Sequence, residues 1–137
     1  MLATCIGHRF GMYFGFRWIR FVRDWPAVKR SMLIRSLAIG VLVLIMFAVT
    51  LTEAGIWAAV YTSLGSLEDF EVALYFSIVS YTTLRFGDVV LDEHWRLLSS
   101  FEAANGVIMF GWTTAIIIAG IKEVSRSLAK LRGAYED

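Results

Sequence analysis

Between two long apolar segments of this chain lies a third that is too short to cross a membrane. Residues 36–52 are almost wholly apolar, and the segment that contains them, 32–61, is long enough to cross a ~30 Å hydrocarbon core with some tilt. Residues 95–122 form the second long segment, which Lys122 closes. Leu67–Ser80 has only 14 residues, so it suits a re-entrant half-helix and not a span. Ser66 is its expected N-cap, and Glu68, Asp69 and Glu71 suit the positive end of a helix dipole. Residues 82–88 follow as extended, non-helical backbone. Such backbone persists at membrane depth only where protein buries it or where it lines a watery cavity. The order helix, half-helix, loop, helix predicts an all-α membrane protein with two transmembrane helices.

Charge gives the orientation. Of thirteen basic side chains, seven lie in residues 1–36 and four after residue 121, whereas 61–94 holds six carboxylates and only Arg85 on the basic side. Basic flanks stay on the cytoplasmic face, so both termini are expected there. Residues 1–30 read as an N-terminal cytoplasmic segment, 31–122 as one membrane domain and 123–137 as a cytoplasmic tail. Within residues 8–25, Phe10, Tyr13, Phe14, Trp18, Phe21 and Trp25 interleave with Arg9, Arg17, Arg20 and Arg23, as in an amphipathic helix lying at a membrane interface. Pro26 should end or bend it. Arg17, Arg20 and Arg23 also recur every third residue, as in a voltage sensor, but no companion helices supply counter-charges. Cys5, the single cysteine, rules out an internal disulfide and reads as an inert thiol. No secretory signal, nucleic-acid motif, metal-ligand cluster, nucleophile arrangement or phosphate loop is visible. Neither enzymatic activity nor a cofactor is expected.

The residues after the half-helix carry a resemblance. Thr82-Thr83-Leu84-Arg85-Phe86-Gly87-Asp88 is similar to the selectivity filter of potassium channels, whose backbone carbonyls replace an ion's hydration shell. Ala73-Leu74-Tyr75-Phe76-Ser77 resembles the aromatic pore helix, and Asn105–Ala115 the inner helix. About 40% of the chain resembles the pore module of two-helix bacterial potassium channels closely. The resemblance implies a homotetramer around a central pore in a bacterial-type inner membrane, with K⁺ or another monovalent ion as the permeant species. It implies pore helix 67–80 and filter 82–88. It makes Tyr75, Phe76, Glu71 and Glu102 filter-bracing residues. Gly106 and Gly111 become hinge glycines, which would also suit close helix packing, and Phe110, Thr114 and Ile118 line the cavity.

Arg85 departs from the pattern, because it stands where the first filter glycine belongs. Glycine is favoured there by a conformation that side chains resist, and four guanidiniums near one axis would repel cations. Three arrangements follow. Arg85 turns away and pairs with Asp88 or Glu71, or it points inward and plugs the pore or inverts its selectivity, or the assembly widens. The corresponding functions are a cation channel of altered or impaired selectivity, a non-conducting membrane scaffold or modulatory subunit, and a wider non-selective or anion-permeable pore. Asp88 should add negative potential at the filter mouth. Glu102, costly within a membrane, should face protein behind the filter. Glu53 is expected to reach the interface, as are Trp57 and Tyr61, and His94 belongs to a solvated turn.

Overall fold

The computed structural model describes residues 1–26, 28 and 31–136, with side chains through residue 125. Helix α1 spans Leu2–Asp24, α2 Met32–Ser63, α3 Phe70–Tyr81 and α4 Arg96–Glu136, the last preceded by a short 3-10 turn, Glu93–Trp95. Among the described residues there is no strand.

Each boundary has a local cause. Helix α1 stops at Asp24 because Trp25 precedes Pro26, and a residue before proline avoids the helical region. Gly65, at φ +68°, ends α2 with a Schellman pair: Ser66 N–H donates to the Tyr61 carbonyl at 3.1 Å and Gly65 N–H to that of Thr62 at 3.1 Å. Ser66 therefore closes α2 and does not open α3, since its Oγ also donates to the Tyr61 carbonyl. The cap of α3 is Asp69, whose carboxylate accepts from Glu71 N–H at 2.7 Å, so the helix starts three residues later than the apolar pattern suggests. Helix α4 continues through the expected tail without a break.

The chain forms two compact units. One comprises Met1–His8 and Ala48–Gly111, and the other Arg9–Phe47 and the chain from Trp112 onward. The core of the first joins Trp57, Ala58 and Tyr61 of α2 to Ala73, Phe76 and Tyr81 of α3, with Leu91 of the loop and Met109 of α4. The Phe76 ring meets Tyr61 edge-on, 5.2 Å between centroids. Trp57 and Tyr61 are thus core residues, not interfacial ones, at 5% and 0% exposure. Thr4 and His8 are also buried here, so α1 begins earlier than residue 8 and its first two turns belong to a protein core. In the second unit Ile19, Leu42, Met46 and Ile116 form one cluster, and Val22, Val28, Ala38 and Val124 another. Trp18 Nε1 donates to the Ala38 carbonyl at 2.8 Å, and Arg35 Nε to that of Val28 at 2.7 Å. Phe10, Tyr13, Phe14, Phe21 and Trp25 are exposed, as an apolar face turned outward requires.

Loss of the α3 cap should be measurable. Asp69→Ala is expected to destabilise the protein by ~1 kcal/mol, read as a lower thermal unfolding midpoint in detergent.

Candidate functional site

Helix α3 places its buried face, Ala73, Phe76, Ser77 and Ser80, at helical spacing and delivers Thr82 directly into the loop. Thr82 caps α3, with both its N–H and its Oγ1 donating to the Ile78 carbonyl, at 3.0 and 2.7 Å. The next residues curl back: Thr83 N–H donates to Ser80, and the N–H groups of Leu84 and Arg85 both donate to Val79. The first half of 82–88 is therefore folded onto the helix end instead of being extended throughout. Positive φ recurs at every second residue, at Thr83 (62°), Arg85 (43°) and Gly87 (83°). For threonine and arginine this left-handed region is disfavoured, so the backbone here is strained.

Arg85 adopts the positive φ that a glycine would hold without strain, and its guanidinium turns to α4. Its Nη2 donates to Ser99 Oγ at 2.9 Å. Asp88 and Glu71, the partners expected from the sequence, are not used: Asp88 instead accepts from the Tyr75 hydroxyl at 2.7 Å, and the Glu71 side chain is exposed. Tyr75, Ser80, Arg85, Asp88, Arg96 and Ser99 are among the residues around a cavity of about 510 Å³ beside the loop. The Tyr75 hydrogen bond holds the Asp88 carboxyl below its ordinary value of 3.8.

Two buried carboxylates join the helices beneath the loop. Glu102, 0% exposed, accepts from Tyr61 at 2.6 Å and from Ser77 at 2.5 Å, linking α4 to α2 and α3. Glu53, 1% exposed, accepts from the Tyr81 hydroxyl at 2.6 Å and lies 2.9 Å from His8 Nδ1. Glu53 is thus a core residue and does not reach an interface. Gly106 is a contact point: a Cβ there would collide with the Tyr81 carbonyl oxygen. Gly111 has open space around it. Phe110 packs edge-on against Tyr81, while Thr114 and Ile118 are exposed on α4. His94 is exposed in the 3-10 turn. Among the described residues no three His, Cys, Asp or Glu side chains cluster as metal ligands do.

The sequence profile of the ion channel family matches residues 45–123, which takes in α2 from its middle, α3, the loop and most of the described part of α4. The chain belongs to the ion channel family. No curated protein and no solved structure matches it. Two helices of this ion-channel protein, Met32–Ser63 and Glu93–Ser125, are long and apolar enough to cross a membrane. Only 17% and 28% of their most apolar stretches is buried within the chain, so their apolar surface is not that of a soluble core and needs lipid or further protein around it. Membership also makes pore formation in a membrane the expected activity. His8, Glu53, Tyr61, Ser77 and Ser99 were not singled out from the sequence as site residues. The signal that found Glu102, a carboxylate inside an apolar span, applies equally to Glu53.

Two predictions follow from these contacts. Gly106→Ala should destabilise the protein by ~1–3 kcal/mol in thermal unfolding, because the obstacle is a backbone carbonyl that cannot swing aside. Tyr75→Phe should raise the Asp88 pKa toward 3.8, followed by carboxyl NMR titration. The sign is that of a depressed acid. The contribution is complete above the unfolded pKa and disappears as pH falls through the lower folded value, so wild type and variant converge in stability at strongly acid pH.

Proposed function

We propose that the protein is a potassium-channel-like pore, a homotetramer that passes monovalent cations through residues 82–88 with selectivity impaired by Arg85. The observation that carries this reading is the Arg85–Ser99 hydrogen bond, which draws the guanidinium toward α4 and leaves the loop backbone free to serve cations. The alternation of φ sign at 83, 85 and 87 supports it as well. Where successive residues alternate in hand, their carbonyls turn to one side, which suits coordination of an ion by backbone oxygens. α3 is then the pore helix and enters the membrane without crossing it. Tyr75 and Phe76 brace the filter from behind, Glu102 ties the pore helix to both spans, and Asp88 lends negative potential at the mouth. Thr114 and Ile118, exposed in the single chain, suit the wall of a cavity formed by four copies. Gly111, where a side chain would meet nothing within 4 Å, suits a bend in the inner helix. The basic flanks, from Arg9 to Arg35 and from Lys122 onward, lie on the cytoplasmic side of a bacterial-type inner membrane.

Selectivity suffers for two reasons. A non-glycine residue at φ +43° holds one filter step under strain, and a permanent positive charge sits one residue from the carbonyls on either side.

Flux from purified protein in liposomes, with separate K⁺, Na⁺ and Cl⁻ gradients, tests the reading. Wild type is expected to pass K⁺ and Na⁺ with weak discrimination, and Arg85→Gly to raise the K⁺ preference about tenfold, or ~1.4 kcal/mol. Ser99→Ala, which releases the guanidinium, should lower cation flux several-fold. Chloride flux would replace this reading with a wider anion-permeable pore. Silence of both wild type and Arg85→Gly would replace it with a non-conducting scaffold.

A further inference from the structure

The family match begins at residue 45, so it gives no role to the N-terminal helix. Yet residues 1–8 share a compact unit with the loop and the helices around it. His8 is 0% exposed, and its Nδ1 lies 2.9 Å from Glu53 Oε1. The other oxygen of the same carboxylate accepts the Tyr81 hydroxyl at 2.6 Å. Tyr81 is the last residue of α3 and is itself 0% exposed. A second tie runs beside the first, where Asn105 Nδ2 donates to Thr4 Oγ1 at 3.1 Å and Thr4 Oγ1 donates to the Met1 carbonyl at 2.7 Å. Asn105 precedes Gly106, whose missing Cβ lets the Tyr81 carbonyl approach α4. The first two turns of α1 therefore hold α2 and α4 on either side of the residue from which the loop departs.

We propose that His8 is a positioning residue for the filter, acting through Glu53 and Tyr81 to fix the base of the loop. The proposal rests on the reading of 82–88 as a filter. Its logic is hydrogen-bond accounting. Glu53 is buried and each of its oxygens has a partner of its own. With a carboxylate as acceptor, the Nδ1 hydrogen of His8 is the donor that satisfies Oε1. Without it, a buried carboxylate oxygen is left unsatisfied, and the carboxylate must rotate or admit water to recover a partner. Either response disturbs the Tyr81 hydroxyl. Tyr81 cannot absorb the change quietly, because its carbonyl abuts Gly106 and its ring packs on Phe110. The displacement passes to Thr82, Thr83, Leu84 and Arg85, whose N–H groups all bond to carbonyls of the last turn of α3.

Amide hydrogen exchange of the full chain in detergent reads those four N–H groups directly and needs no conduction. His8→Ala is expected to speed their exchange by about tenfold or more. His8→Asn, which keeps a donor near the Nδ1 position, should return it close to wild type. Tyr81→Phe, which keeps the ring volume, should reproduce His8→Ala, and the double variant should add nothing further, since both act on one chain of bonds. K⁺ and Na⁺ flux of the same variants in liposomes should show a K⁺ preference lower in His8→Ala than in wild type and restored in His8→Asn. The proposal is overturned if exchange at the four amides is unchanged in both His8→Ala and Tyr81→Phe. It is equally overturned if His8→Ala speeds every helix alike, or if a conducting wild type keeps its selectivity in His8→Ala. A wild type that passes no ion sinks the filter reading alone, and the exchange pattern then still decides whether His8 positions the loop.

Discussion

Two carboxylates that have almost no contact with solvent hold the first unit together. A carboxyl group taken out of water is tolerated only when hydrogen-bond partners surround it. Glu102 and Glu53 meet that demand with hydroxyls from other helices, Tyr61 and Ser77 for one and Tyr81 for the other. The consequence is geometric. Dispersion contacts among apolar helices carry little directionality of their own, whereas hydrogen bonds of 2.5–2.9 Å to a carboxyl group fix both distance and angle. Helix α3 is therefore held along the second half of its buried face, through Ser77 and, at its end, Tyr81, with the Tyr61 and Phe76 rings packed edge-on beside them.

This arrangement explains how a short apolar helix is held in the first unit. It buries Ala73, Phe76 and Tyr81 against two longer helices, its N-terminus is capped by Asp69, and its C-terminus is closed by the loop that follows. The loop can then carry strain, with left-handed residues at Thr83 and Arg85, because it is anchored at both ends. On one side stands the last turn of α3, and on the other the Tyr75–Asp88 hydrogen bond.

Much of this was legible in the sequence because it depends on length and apolarity. Residues 32–61 match α2 to within a few residues at each end, and 95–122 gives the start of α4 but not its end, since α4 runs on to Glu136. The short apolar helix is visible as the run Leu67–Ser80, of which Phe70 onward is helical. Its start lies later than the pattern suggests because serine and aspartate are comparable caps, and Ser66 is engaged by the Schellman turn at Gly65. The pairings were less legible. Nothing local tells that Arg85 chooses Ser99 over Asp88, since Tyr75 claims Asp88 first and tyrosine at that point in the sequence reads simply as an aromatic. Glu53, Trp57 and Tyr61 were assigned to an interface from their place near the end of an apolar run. The structure buries them because α3 and the first turns of α1 pack there, a long-range fact that no window of sequence contains. Thr4 and Asn105 meet across about a hundred residues of chain for the same reason.

The end of α3 carries one more consequence. A helix presents partial negative charge at its C-terminus because its last carbonyls lack partners. Here the carbonyls of Ile78, Val79 and Ser80 are all occupied by N–H groups of Thr82 to Arg85, and that of Val79 by two. The carbonyl of Tyr81 is crowded against Gly106. The loop thus offsets part of the negative charge at the end of the helix that supports it. Any positive charge near that loop, the Arg85 guanidinium included, meets less counter-charge in the helix end than an uncapped helix would offer.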